Sequence, residues 1–252
     1  MVSANKNYEY FGKFVYFFID QRLINLKHSL HQPKGKLMQL YIYDHCPYCV
    51  RAEMIFGFKK IPVTLKYLLN DDEETPNQLI GQKMVPILVK DDHTAMGESL
   101  DIVHYTDQLS GTTPLNQTIR PQIQQWLDSV DEYRNKLTVP RCISIGLPEF
   151  ATQQAIDYYV AKKSARFGDF KQLLANTAEL IQRLQNDLLS LAPLIKSAQG
   201  TQGEFSMEDI LLFPVLRNLT IVKNVNWPEP VQNYLNTMSK LTNISLYDDR
   251  AI

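Results

Sequence analysis

The chain has 252 residues, 44% of them hydrophobic and 21% charged, with a formal net charge of −1 and a sequence pI of about 6.5. That length can bury one large core or two modest ones, and the near-neutral balance excludes the basic footprint of a nucleic-acid-binding domain, so no nucleic acid partner is expected. Three cysteines are too few, and one too many, for a secreted disulfide framework, which points to a reducing compartment, the cytoplasm by default.

Residues 1–37 read as an N-terminal extension. Lys6, Lys13, Arg22, Lys27, Lys34 and Lys36 outnumber Glu9 and Asp20, a net +4 over residues 1–36 that leaves −5 for the rest. The apolar run from Phe14 to Ile19 is shorter than a signal-peptide core of roughly 7 residues and far below the ~20 a membrane helix needs. The extension is either a basic, aromatic arm able to touch an anionic surface or sequence upstream of the native start. Met38, at the head of the first convincing strand, favours the second reading, and no membrane contact is expected.

Residues 38–43 are a short apolar and aromatic run of β type, followed by a turn at Asp44-His45 and then by Cys46-Pro47-Tyr48-Cys49. A Cys-x-x-Cys pair sets two sulfurs one turn apart on one helix face, close enough to close a small disulfide loop or share a proton. Pro47 suits a first helical turn, where its missing N–H has no partner to lose. The helix is expected to reach Lys59 and to stop at Ile61-Pro62. Residues 63–69 read as a second strand, 70–75 as an acidic loop, and 85–89 with 94–96 as a hairpin. The proline in that hairpin opens the option of a cis Val85–Pro86 bond, since X-Pro is the one peptide class where cis costs only ~0.5–1 kcal/mol. A helix then runs from Glu98-Ser99 to Leu109, with Ser99 as the expected N-cap.

Strand, helix, strand, helix, hairpin, helix over 38–109 is the pattern of an α/β thioredoxin-like domain. Residues 110–119 are rich in turn formers and read as a linker. Over 120–252 the periodicity is helical, most clearly at Leu180, Leu184, Leu188 and Leu191, so the C-terminal domain is expected to be all-α. Within it, Ser206 and Asp209 have capping-box spacing, flanked by Phe205 and Ile210 as a hydrophobic staple.

The dithiol carries the chemistry. Cys46, at the helix start, sits where unpaired N–H groups and the helix dipole favour thiolate, so it is the expected nucleophile. Cys49, one turn inside, is expected to be less acidic and less exposed. Arg51 reads as a cation on a solvated helix face. Structural zinc lacks ligands, because His45 adjoins Cys46 and Cys142 belongs to the other domain, so no metal is expected. Cys142 reads as an inert packing thiol, and Tyr158 and Tyr159 as core by default.

Residues 38–49, Val85-Pro86-Ile87-Leu88, Glu98-Ser99 with Asp101-Ile102-Val103-His104-Tyr105, Leu216-Arg217-Asn218-Leu219-Thr220 and Asn226-Trp227-Pro228 together resemble the glutaredoxin 2 family. These are bacterial two-domain glutaredoxins built like a glutathione transferase, and the resemblance covers 38–252. It implies a glutathione-dependent thiol–disulfide oxidoreductase that reduces glutathione mixed disulfides and protein disulfides. Glutathione would be a co-substrate, with no permanently bound cofactor. Glutathionylated proteins would be the partners, and the protein a monomer. The resemblance further implies that glutathione lies along the Val85-Pro86 backbone, with Tyr48 as one wall, its γ-glutamyl carboxylate on the N–H groups at Ser99 and its ammonium on Glu98. Gly97 departs from the family's expected proline and could loosen that loop. A glutathione transferase is the nearest competing enzyme, disfavoured by the intact dithiol. A membrane-associating scaffold of the same two-domain plan is the alternative from another class, and a periplasmic disulfide donor a third.

Overall fold

Alternation decides the first strand: along β1 (Gln39–Ile42), Leu40 and Ile42 are fully buried while Gln39 and Tyr41 are half-buried. The computed structural model describes residues 37–252, so the extension read over 1–37 lies, Leu37 aside, outside the described residues. In it β1 is an inner strand of a four-stranded sheet of order β2-β1-β3-β4. β2 (Thr64–Tyr67) pairs with β1 in parallel, Leu40 opposite Leu65, so the chain needs a crossover, which α1 (Pro47–Lys59) supplies. After α2 (Glu74–Ile80), β3 (Ile87–Val89) returns antiparallel with Leu88 opposite Leu40, β4 (Ala95–Met96) closes the hairpin, and α3 (Ser99–Leu109) packs on α1.

All four strands are shorter than the sequence suggested. β3 starts only after Pro86, whose nitrogen has no hydrogen for the ladder, and the Val85–Pro86 bond is cis. The acidic stretch 70–75 runs into α2, where Thr75 N–H is taken by Asp72 Oδ1 at 2.9 Å.

The remaining helices are α4 (Pro121–Asp131), α5 (Arg134–Cys142), α6 (Gln153–Phe167), α7 (Phe170–Ala175), α8 (Thr177–Leu191), α9 (Met207–Leu219) and α10 (Glu229–Thr242). The leucine stripe of α8 behaves as its spacing dictates, with Leu184, Leu188 and Leu191 fully buried and Leu180 packed at the edge of the core. At the start of α9 the Ser206 N–H donates to Asp209 Oδ2 at 2.8 Å, completing the capping box. Phe205 also stacks on Phe58 of α1, ring centroids 3.9 Å apart, so the cap joins the two halves.

That joint is close-packed. A Cβ built on Gly57 of α1 would stand 1.9 Å from the Thr242 carbonyl oxygen at the end of α10, so only glycine permits the approach. The connection between α3 and α4 has no regular secondary structure, yet it is tied down at both ends. Leu115 N–H donates to Asp107 Oδ2 at 2.9 Å, and Lys59 Nζ pairs with Asp107 Oδ1 at 2.7 Å and bonds the Thr113 carbonyl at 2.8 Å. Arg120 forks onto buried Glu208 at the head of α9, Nη2 to Oε2 at 2.7 Å.

Candidate active site

The position of Cys46 follows directly from where β1 ends. Asp44 and His45 turn the chain, Cys46 N–H bonds the Tyr43 carbonyl at 3.2 Å, and Cys46 becomes the N-cap of α1 with extended backbone (φ −80°, ψ 115°) and Pro47 as the first helical residue. Its sulfur therefore faces the N–H groups at the head of α1, with no capping oxygen on residue 46 to compete. The Cys46 thiol is lowered to about 6. The largest cause is the hydrogen bond from Cys49, followed by the charge of His45 and the backbone N–H groups of Cys49 and Tyr48, all working against burial. Cys49 is pushed the other way, well above the ordinary thiol range, by burial and then by Cys46. It is fully buried and accepts the Tyr43 N–H at 3.5 Å, whereas Cys46 is partly exposed. Cys49 is thus the less acidic and the less exposed of the two sulfurs.

The turn that presents Cys46 is held by the helical half. Arg217 Nη1 donates to the Asp44 carbonyl at 2.8 Å and Nη2 to Asp44 Oδ1 at 2.8 Å, while Tyr247 OH also reaches the carboxylate. Asn218 Nδ2 donates to the His45 carbonyl at 2.7 Å. Glu149, fully buried in the short helical turn Pro148–Phe150, takes the His45 N–H at 2.9 Å and sits 2.5 Å from His45 Nδ1. The imidazole is fixed between the rings of Tyr43, Phe150 and Tyr159. None of these supports was assigned from sequence. Arg217 and Asn218 lay in a stretch that carried the resemblance, but nothing local marks Glu149 as the partner of a residue 104 positions earlier.

The five residues expected to hold glutathione come together. Tyr48, Val85, Pro86, Glu98 and Ser99, with Met84, line one pocket of about 230 Å³. Among the described residues the Val85 N–H and carbonyl make no backbone hydrogen bond, which leaves an open edge for an added strand. Arg51 differs from expectation: it is half-buried, with its guanidinium 4.8 Å from the Tyr48 ring centroid. Ser99 also differs. It is the first helical residue of α3 rather than its cap, because Glu98 takes the cap position in a left-handed backbone conformation (φ 60°, ψ 111°). Gly97 leaves room for a neighbour, since a Cβ there would meet Met84 Cε at 2.6 Å.

A larger cleft of about 600 Å³, lined by Cys46, opens between the two halves and shares Tyr48, Met84 and Val85 with the first pocket. Tyr158, Tyr159 and Cys142 line it, so these residues face a cleft as well as the core. Tyr159 and Cys142 are buried in its floor. The Cys142 thiol donates to the Thr138 carbonyl at 3.2 Å and is pushed up to about 12 by burial, as for a packing thiol.

Comparison with known proteins agrees with both halves of this arrangement. Residues 122–251 match the family described as "Glutaredoxin 2, C terminal domain", and residues 40–114 match "Glutathione S-transferase, N-terminal domain". The chain is 51% identical over 215 residues to Glutaredoxin 2 of Escherichia coli K12, covering 85% of this chain and 100% of that one. It superposes on the crystal structure of Glutaredoxin 2 from Salmonella typhimurium in complex with glutathione with a TM-score of 0.84 and 50% identity, over 86% of this chain and all of the other. A glutathione transferase from Phanerochaete chrysosporium shares the fold alone, with a TM-score of 0.61 and 10% identity over 82% of this chain and 98% of that one. A thioredoxin-like half joined to a helical half, with a dithiol at the joint, is thus a family architecture: the chain belongs to the glutaredoxin 2 family, and is a glutathione-dependent thiol–disulfide oxidoreductase.

Proposed function

We propose that Cys46 is the nucleophile toward glutathione mixed disulfides, with glutathione held by Tyr48, Val85, Pro86, Glu98 and Ser99. The observation that carries this reading is the Cys46 thiol, lowered to about 6 at the head of α1 and lining the cleft that adjoins the pocket formed by those five residues. At neutral pH Cys46 is a thiolate. It attacks the glutathione sulfur of a mixed disulfide; the old S–S bond breaks, its electron pair leaves on the substrate sulfur, and that thiolate takes a proton from water. Cys46 is now joined to glutathione. A second glutathione thiolate attacks the glutathione sulfur of that bond, releasing oxidised glutathione and restoring the Cys46 thiolate. With a protein disulfide, Cys46 attacks one sulfur, and Cys49, after losing its proton, attacks Cys46 to free the substrate's second thiol, leaving a Cys46–Cys49 disulfide that two glutathione molecules reduce, releasing oxidised glutathione.

Glutathione fits the pocket through chemistry each residue can supply. Its backbone would add as a strand to the free Val85 edge, its γ-glutamyl carboxylate would rest at the head of α3 beside Ser99, and its ammonium would pair with Glu98. Glutathione serves as co-substrate, and no resident cofactor is required by any step. Glutathionylated proteins are the proposed partners, the cytoplasm the proposed site of action, and a monomer the proposed state. Among the described residues no helix is long and apolar enough to cross a membrane.

The test is glutathione-dependent reduction of the β-mercaptoethanol–glutathione mixed disulfide, coupled to glutathione reductase and NADPH. Turnover in wild type and Cys49→Ser but not in Cys46→Ser is expected. Turnover that survives Cys46→Ser would remove Cys46 from the chemistry.

A further inference from the structure

The cleft lined by Cys46 has a charge that the composition does not explain. Residues 37–252 carry a net −5, yet the cleft is lined by Lys83, Arg134, Lys162, Lys163 and Arg166 against a single carboxylate, Asp131. Asp131 is spent on Arg134, 2.6 Å away. Lys83 and Lys162 flank the Tyr158 ring, 3.9 and 4.3 Å from its centroid, and share Glu73 at 3.7 and 3.6 Å. Lys163 and Arg166 have no carboxylate within 4.0 Å among the described residues. Both stand on α6, three residues apart and hence on one helix face. Burial, then the neighbouring Arg166, lowers the Lys163 ammonium from its ordinary range. Two like charges on one helix face, Lys163 half-buried and Arg166 exposed, form a site that an incoming anion would relieve.

This cleft is where the departing half of a mixed disulfide must lie. The pocket of about 230 Å³ at Glu98 and Ser99 takes the glutathione half and shares Tyr48, Met84 and Val85 with the cleft of about 600 Å³, which Cys46 lines and which receives whatever the glutathione was attached to. We propose that Lys163 and Arg166 make this cleft a subsite for acidic polypeptide, selecting glutathionylated proteins with Asp or Glu beside the modified cysteine. The proposal rests on the function proposed above and names its substrate class. The helical half then contributes selection as well as support, through a helix that holds none of the residues assigned to glutathione. Cations steering an anionic segment into a cleft act on encounter and on register, so the preference should weaken with salt.

The experiment compares two glutathionylated peptides of equal length, with Glu or with Lys on both sides of the cysteine. It also includes the uncharged β-mercaptoethanol half as the small mixed disulfide. Wild type is expected to favour the Glu peptide in kcat/KM by about tenfold at low salt, equal to about 1.4 kcal/mol, with the ratio falling in 0.5 M salt. Lys163→Ala with Arg166→Ala should bring the ratio near unity, and Lys163→Glu with Arg166→Glu should invert it, while turnover of the small mixed disulfide stays within about twofold. A ratio near unity in wild type, or one unmoved by charge reversal, overturns the proposal. Equal losses on all three substrates would also overturn it, by placing these cations on glutathione itself. Failure of wild type to turn over the small mixed disulfide would instead sink the function on which the proposal stands.

Discussion

Arg217 of α9 grips Asp44 twice, through the carbonyl and the carboxylate, two residues before Cys46 in a turn that belongs to the other half of the chain. The Arg217 side chain is 4% exposed, so this is a nearly dry ion pair. Burial works the other way, but Arg217 and the Tyr247 hydroxyl hold the Asp44 carboxyl below its ordinary range. Removing one partner of such a pair strands the other, which costs about 3–5 kcal/mol. Arg217→Met is therefore expected to lose that much in urea unfolding. Because the Asp44 carboxyl is depressed in the folded state, the contribution is complete above roughly pH 4 and is lost on further acidification. An Arg217→Met protein as stable as wild type at pH 7 would show that the turn is held by other contacts.

The thiolate of Cys46 sets a pH profile. A thiol lowered to about 6 is expected to titrate there by thiolate absorbance at 240 nm, with turnover rising through the same range and flattening above it. Cys49→Ala removes the largest cause and is expected to move the midpoint upward. His45→Phe removes a smaller one and should move it less. Because the folded value lies below the ordinary thiol value near 8.5, reduced-state stability should rise with pH between about 6 and 8.5 and be lost as pH falls through 6. A midpoint near 8.5 in wild type would mean that the head of α1 does not activate this sulfur.

Much of this was legible in sequence because it is local. The cysteine spacing, Pro47 at a helix start, the capping box at Ser206 and the α8 leucine stripe are all decided within one or two turns of chain, where spacing and propensity act directly. What escaped is long-range or backbone-borne. The Glu149–His45 contact joins positions 104 apart, and Arg217 to Asp44 spans 173, separations at which pattern carries no information. Ser99 was misread as a cap because the left-handed conformation of Glu98 is a tertiary imposition that no propensity favours for glutamate. Gly97 read as a loosened loop in sequence; in the structure its missing Cβ makes space for Met84.

Gly57 tests the close contact between the halves. It lies inside α1, where alanine would ordinarily stabilise by roughly 0.5–1 kcal/mol. Here the added Cβ would meet backbone, the Thr242 carbonyl at 1.9 Å, and backbone at a helix end cannot swing aside like a side chain. Overpacking of this kind costs about 1–3 kcal/mol or more. Gly57→Ala is thus expected to lower stability in chemical unfolding, and a stabilised variant would mean that α10 stands farther from α1.

Glu98 joins strain to binding, and two substitutions pull those apart. A non-glycine residue at φ 60° and ψ 111° carries strain of about 1–3 kcal/mol, which persists where the surroundings and the site require it. Glu98→Gly relieves that strain and returns only about 0.4–1 kcal/mol through greater freedom of the unfolded chain, so it should stabilise. The same change deletes the carboxylate proposed to meet the glutathione ammonium. Because Glu98 is exposed, solvent discounts that pair to about 0.5–1.5 kcal/mol, so KM for glutathione should rise roughly 3- to 10-fold. Glu98→Gln keeps the backbone and loses only the charge, and should show the KM effect without the gain in stability. In both variants kcat and the Cys46 midpoint should hold, since neither touches the causes that lower that thiol. A fall in kcat at constant KM would move Glu98 out of glutathione binding and into the positioning of Cys46.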